Sequence, residues 1–487
     1  MKQNAAVIHL SLRRSLVRVT YVAILLAPSF SYAAVREWFT LSIDGQRVGY
    51  AYRDIEKTKE GSIAIQYSRV AVMEFRKSSL VEKTIRVSRD PRGAATKVEV
   101  QTAVGNHQDR WFGTVDRAGG KMVRRIVSVG RDEVVSLGAN TIMPDERDGV
   151  LLPLWTGSAP KLSYQYLDPS VALPIHIDAE VVTGVATNDE AGSANTVHVR
   201  RTISQSSTST EDLWFDRNGR LLKLQQMFYG ATLQWNPCAM ECDASVAVPF
   251  DLMARLVVRS PFHVPLSALY GPIRYVIATD NGAPPILPVT SEQSVVFDNG
   301  KAIVTVCNDC GSEPVKVGSE VAQYLLPNAW VQSDNSEIKS FARYSSGHGS
   351  SKQKMDRLVV AVRAHINGPI DYLSYGTALD ALRSRSGDCT EFASLLTAAA
   401  RAEGIPARIA IGIVFADRFS GKKDVFSPHA WVQAWDGERW RSYDAALDGF
   451  DATHIAMAIG DGRPEQFSNA FGALHRWRIE KLGLIHR

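Results

Sequence analysis

The sequence predicts an α+β protein, with a long β-rich N-terminal region followed by a C-terminal domain whose helices precede antiparallel strands. Three observations carry this. Between residues 34 and 235, short alternating apolar runs are separated by hairpin dipeptides, and helical periodicity is hard to find. Met355, Leu358, Val359, Val362 and Ile366 then recur at helical spacing. After Gly404-Ile405-Pro406 the alternation of strands returns and runs to Asp444. At 487 residues the chain is too long for one ordinary domain, and two or three are expected.

Residues 1–33 read as a secretory signal peptide. Lys2, Arg13, Arg14 and Arg18 precede an apolar stretch at 19–27, and Ser31-Tyr32-Ala33 places small residues three before and one before a cut after Ala33. The apolar run is about half the length a spanning helix needs, so an uncleaved anchor is the weaker alternative. No later segment is apolar enough to span, and the mature chain is expected to be exported, periplasmic in a Gram-negative host. The chain has 55 basic and 51 acidic side chains; residues 1–33 hold four of the basic ones and no acidic one, which leaves 51 of each. A neutral mature chain gives no electrostatic case for nucleic acid or an anionic membrane as partner.

In the β-rich region, 34–235, Asp44-Gly45 separates runs at 38–43 and 46–52, and Asn218-Gly219 separates 213–215 from 220–224. Such dipeptides suit hairpin turns because their residues tolerate φ > 0. Trp111-Phe112 with Asp116-Arg117-Ala118-Gly119, and Trp214-Phe215 with Asp216-Arg217-Asn218-Gly219, form a faint repeat that fits either two related modules or two generic hairpins. Residues 236–333 read as a β-rich connecting module with a further hairpin signal at Asn299-Gly300. The third domain, 334–475, opens with a polar approach segment at 334–349. Helices follow at about 352–367 and 376–384, and a third begins at or just before Cys389. That helix carries Phe392, Leu395, Leu396 and Ala399 on one face and stops at Gly404, a natural C′ residue.

Five cysteines are present, four of them in two close pairs, Cys238/Cys242 and Cys307/Cys310. In an oxidising compartment disulfides are favoured. A four-thiolate zinc site also suits both spacings, and the connectivity is not readable from sequence. A redox-active Cys307/Cys310 pair lacks the thioredoxin-like context it needs. Cys389 is left over. It follows Gly387-Asp388 at a helix start, where unsatisfied N–H groups and the helix dipole favour thiolate; a structural cysteine is the alternative.

A histidine and an aspartate complete the set. Residues 430–435 and 438–443 read as strands joined by Asp436-Gly437. A two-residue turn there pairs Trp435 with Glu438, and counting outward sets His429 opposite Asp444. Asp444 would then fix one imidazole nitrogen and leave the other for the thiol. Asp448 and Asp451 are rival carboxylates beyond the hairpin. Trp431, Trp435 and Trp440 either wall a peptide cleft or fill the core.

The blocks Gly387-Asp388-Cys389-Thr390-Glu391-Phe392, Ala399-Ala400-Arg401-Ala402-Glu403-Gly404-Ile405-Pro406-Ala407-Arg408, His429-Ala430-Trp431-Val432 and Asp451-Ala452-Thr453-His454-Ile455 occur in family order. Together they resemble the bacterial transglutaminase-like domain of the transglutaminase–cysteine protease superfamily, over roughly residues 335–465. The resemblance implies a papain-like α+β core with Cys389 as nucleophile, His429 as general base and acid, and Asp444 as orienting residue. It also implies a peptide or protein substrate and no metal or organic cofactor. Phe392 stands where the family often has histidine, and Asp444-Ala445-Ala446 replaces its usual Asp-Pro-Thr. By analogy Tyr372 joins the Cys389 backbone N–H as an oxyanion donor; a packed surface tyrosine is the plainer alternative. The β-rich region is similar in texture to the export-associated β-domains that precede such catalytic domains. The expectation is an exported acyl-transfer enzyme. Hydrolysis and transamidation share every residue named, and hydrolysis is favoured because no calcium loop or acceptor-lysine site is visible. The rival is a non-catalytic periplasmic scaffold that retains the module. The oligomeric state is not encoded in any motif.

Overall fold

A computed structural model describes residues 36–485 apart from short internal segments, the longest being 183–195, 243–247 and 369–375. The signal-peptide segment and Tyr372 lie outside the described residues. As expected from the sequence, a large antiparallel sheet precedes a domain of mixed helices and strands.

The large sheet consists of two meanders laid side by side. One runs in order from Glu37–Ile43 to Arg131–Ser136, the other from Lys161–Asp168 to Ala231–Cys238. The first strand of the first meander pairs with the last strand of the second, Leu41 opposite Trp235. Asp44-Gly45 turns as expected: both residues have positive φ, and Ile43 pairs with Gln46. The Asn218-Gly219 hairpin is looser. The Asp216 side chain accepts from the N–H groups of Asn218 and Arg220 at 2.9 Å, and Phe215 pairs with Leu221. The faint repeat does not extend to packing, because Trp111 is buried in the first hairpin whereas Phe215, not Trp214, is buried in the second.

The segment after this sheet is stitched to the rest by short pieces. Phe250–Asp251 adds in parallel to Gly61–Glu74, and Asp251 caps the helix Leu252–Arg255. Val258–Arg259 then joins the edge of the C-terminal sheet. Ile273–Thr279, Gln293–Asp298 and Lys301–Val306 form a separate antiparallel sheet that takes its fourth strand, Trp477–Leu484, from the far end of the chain. The cysteines pair locally, Cys238 with Cys242 and Cys307 with Cys310, so the four thiols do not assemble a zinc site.

In the C-terminal domain the strands Ala407–Phe419, Lys422–Trp435 and Ile455–Gly460 form an antiparallel core sheet, with Trp440–Tyr443 added beside Lys422–Trp435. Helices Ser351–His365, Ala378–Ser384 and Cys389–Ala402 agree with the expected ones. The segment read as a polar approach is instead the helix Ser336–Ser346, capped by Asn335, with only Ile338, Ala342 and Ser346 buried. Its apolar stripe is too thin to register as a period. Cys389–Ala402 is surrounded on nearly every side, and Leu395, Leu396, Ala398, Ala399 and Ala400 are fully buried. It packs with the other helices on the face presented by Ile409, Ile411, Ala430, Val432 and Ala434. The four-stranded sheet packs through Ile273, Tyr275 and Val304 against Ile413, Phe426 and Ile455.

Gly412 sits opposite His429 in this sheet, where Ile455–Gly460 makes a bulged approach. A Cβ at Gly412 would overlap the carbonyl of Ile455 and touch the Trp431 ring. Gly412→Val is expected to cost about 3 kcal/mol in chemical denaturation, the size typical of a forced core clash. An unchanged midpoint would contradict the close approach.

Candidate active site

Cys389 is the first residue of its helix, and the local sequence builds that terminus. Asp388 is the N-cap, its Oδ1 accepting from the Thr390 N–H at 2.8 Å, while Glu391 returns an acceptor to the Asp388 N–H at 2.8 Å. This is a capping box made with two acidic residues. Gly387 has φ 152°, and a side chain there would overlap Glu391. Glu391 also accepts from the Gly376 N–H at 2.6 Å. Burial, then the Asp388 charge, push the Glu391 carboxyl well above its usual range, and burial also raises the Asp388 carboxyl beside it.

The second wall is the strand Lys422–Trp435. Trp435 N–H donates to the Pro406 carbonyl, toward the central strand, so by alternation the Ala430 N–H points the other way. That side is open, because Trp440–Tyr443 stops at the pair Val432–Tyr443. The Ala430 N–H lies near the Cys389 sulfur and favours its ionised form. The thiol thus occupies the edge where the short strand would have continued, beside the residue that follows His429.

The hairpin register differs from the one expected. Trp435 pairs with Trp440, not Glu438, and residues 436–439 form the loop. The cause is the Asp436 side chain, which accepts from the N–H groups of Glu438 and Arg439 at 2.9 Å and builds a side-chain-capped turn. This register does not set Asp444 across from His429. Asp444 nonetheless reaches it from just beyond the strand end, with His429 Nε2 donating to Asp444 Oδ2 at 2.7 Å. Oδ1 accepts from the N–H groups of Ala446 and Leu447, and Arg363 holds the carbonyls of Asp444 and Ala445. Asp448 is an exposed partner of Arg363, away from the site.

Sequence reasoning gave no role to His454, which lies within one of the motif blocks. Its side chain is fully buried. Nε2 donates to the same Asp444 Oδ2 at 3.1 Å, and Nδ1 meets Asp451 Oδ1 at 3.1 Å. Trp431 stacks on His429 at 6.2 Å and meets His454 edge-on at 5.1 Å. Trp431 and Trp440 are buried, and Trp435 packs edge-on against Trp440 at 5.5 Å; these rings fill the core more than they wall a cleft. Behind the hairpin, buried Glu292 accepts from the Ser442 N–H and hydroxyl at 2.7 and 2.8 Å, and Ser442 Oγ accepts from the Trp431 indole. Burial pushes Glu292 up to about 7.

The electrostatics separate the members. Burial pushes the Cys389 thiol well above its usual range, the Asp388 charge adds to this, and the Ala430 N–H opposes it. The expected gain in thiolate from the helix terminus is therefore outweighed, and the thiol is neutral at rest. Burial alone would raise Asp444, but the His429 charge and the bonds from both histidines hold it well below the usual carboxylate range. Burial would lower His454, yet its bonds to Asp444 and Asp451 and their charges push it up to about 9. The ligand atoms of His429, Asp444 and His454 lie within 4.8 Å of one another, close enough to grip a cation. The hydrogen bonds already occupy them, and a cation would have to displace protons from both rings.

Because His454 is raised above its unfolded value near 6.5, its contribution to stability is fully present below about pH 6.5 and is lost as the pH rises through about 9. Denaturation curves taken at neutral pH and above that limit should show this fall, and the fall should shrink in His454→Gln. Asp388→Asn keeps a good cap and removes the charge. It should move alkylation of Cys389 by iodoacetamide to lower pH; an unmoved profile would remove Asp388 from the electrostatic argument.

Residues 339–445 match the family model described as the transglutaminase-like superfamily. An uncharacterized protein of Mycobacterium leprae is 28% identical over 212 residues, covering 41% of this chain and 74% of its own length. Among solved structures, a β-barrel-like protein of a domain of unknown function from Brucella abortus covers 42% of this chain and 95% of its own, at 11% identity and TM-score 0.33. A "putative cysteine protease" from Cytophaga hutchinsonii covers 44% and 81%, at 17% identity and TM-score 0.28. A large antiparallel sheet thus precedes a segment, residues 339–445, that is similar to the transglutaminase-like superfamily and holds Cys389, His429 and Asp444.

Proposed function

We propose that this chain is an exported, cysteine-dependent acyl-transfer enzyme that acts on peptide or carboxamide bonds of a protein or peptide substrate. The observation that carries the reading is the hydrogen bond from His429 Nε2 to buried Asp444, placed beside the edge position of Cys389. With Nε2 committed, Nδ1 is the nitrogen available to a thiol.

Because Cys389 is neutral at rest, His429 acts first as general base. It takes the thiol proton as sulfur attacks the carbonyl carbon. Asp444 stabilises the imidazolium that forms. The backbone N–H of Cys389, at the first position of its helix, has no acceptor within that helix and is free to meet the developing oxyanion. His429 then protonates the leaving amine as the C–N bond breaks, which leaves a thioester on Cys389. Water attacking the thioester gives hydrolysis, and an amine gives transamidation; hydrolysis is the favoured outcome. The local pairing of the other four cysteines suits an oxidising compartment and leaves Cys389 as the free thiol.

Folded protein treated with iodoacetamide should be alkylated at Cys389 alone, at a rate that rises with pH. His429→Ala should slow this labelling by roughly tenfold at neutral pH, because the base that accepts the proton is gone. A Cys389 that resists alkylation throughout, or labels equally without His429, would favour the scaffold reading.

A further inference from the structure

We infer that His454 is a positioning residue of this site, a buried imidazolium that clamps Asp444 from the side opposite His429 and sets how strongly Asp444 holds the proton on His429. The inference rests on the acyl-transfer reading.

The geometry is specific. Asp444 Oδ2 takes both Nε2 donors, from His429 at 2.7 Å and from His454 at 3.1 Å. Oδ1 is filled by two backbone N–H groups at 2.7 and 3.1 Å, so the carboxylate has four donors and one orientation. His454 Nδ1 meets Asp451 Oδ1 at 3.1 Å and lies 3.2 Å from the Asp451 N–H, and Oδ1 is itself fixed by the N–H and hydroxyl of Thr453 at 2.7 and 2.5 Å. Trp431 lies edge-on to the His454 ring at 5.1 Å, and Phe450 tilts against it at 5.1 Å.

Charge bookkeeping gives the arrangement a purpose. Other titratable groups facing the cluster are His429 and Asp444 from the hairpin, Asp451 from the same segment, Tyr275 from the four-stranded sheet, and Cys389 with Asp388 at the helix terminus. Two carboxylates, Asp444 and Asp451, flank His454. Were His454 neutral, both negative charges would act on His429 and keep its proton there. Bound as imidazolium, His454 cancels one of them. One carboxylate charge then remains to match one proton on His429, which lets that proton return to a leaving amine.

Alkylation of Cys389 by iodoacetamide, followed by mass spectrometry across pH, tests this without a known substrate. His454→Gln keeps a donor for Asp444 and removes the charge, and its labelling profile should move to higher pH by roughly one unit. His454→Phe keeps the ring volume and removes both donor and charge, and it should slow labelling at neutral pH by about tenfold. Glutamine should recover most of that rate at its shifted optimum. A merely structural role predicts the reverse, with phenylalanine close to wild type and glutamine the poorer replacement. Profiles of both variants that coincide with wild type would overturn the inference. If the variants do not fold, ¹⁵N spectra of wild-type His454 decide. Both ring nitrogens should be protonated at mild alkaline pH, and a neutral ring there would overturn the clamp. The two readings fail separately. Labelling that depends on His429 but ignores His454 sinks this inference alone, whereas a Cys389 inert in wild type sinks the acyl-transfer reading.

Discussion

One carboxylate oxygen organises the site. Asp444 Oδ2 receives His429 on one side and His454 on the other, and every nearby element serves to keep it there. The strand before it ends early, its own loop closes on Oδ1, and Arg363 from a helix holds its backbone. A buried carboxylate with four donors stays ionised, so it can support a positive imidazole without taking the proton itself.

The early end of Trp440–Tyr443 has a second effect. It uncovers the Ala430 N–H at the sheet edge, and the Cys389 helix fills that edge with its terminus. Cys389 therefore lies beside the strand end from which Asp444 reaches His429. Burial, with the Asp388 charge, pushes the thiol well above its usual range, and under the proposed reading its activation falls to His429. The four-stranded sheet contributes from behind, through Glu292 on Ser442 and Ser442 on the Trp431 indole that faces both histidines.

Much of this was legible in the sequence where local chemistry decides structure. Gly387-Asp388 and Gly404 bounded the Cys389 helix because caps are local signals. Asp44-Gly45 and Asn299-Gly300 turned as their dipeptides imply, with both residues at positive φ. Asp436-Gly437 did not, since the Asp436 side chain captured two loop N–H groups and lengthened the turn. His429 and Asp444 meet, but not through the register that a two-residue turn implies. The helix Ser336–Ser346 escaped notice because it buries so little apolar surface. His454 lies inside a motif block, but its importance depends on a contact with Asp444, ten positions away at the end of the preceding strand. Its one local signal was the Asp451-Ala452-Thr453-His454 spacing, which lets the aspartate side chain reach the ring.

The central claim is that Cys389 carries an acyl group during turnover. Intact-mass spectrometry of the Asp444→Asn variant, incubated with a peptide library and quenched in acid, tests it most directly. The account predicts a mass increase on Cys389 that hydroxylamine removes, as a thioester requires, and no such adduct on Cys389→Ala. An Asp444→Asn protein that is folded and alkylated at Cys389 by iodoacetamide, yet never acquires a hydroxylamine-labile adduct, would contradict it.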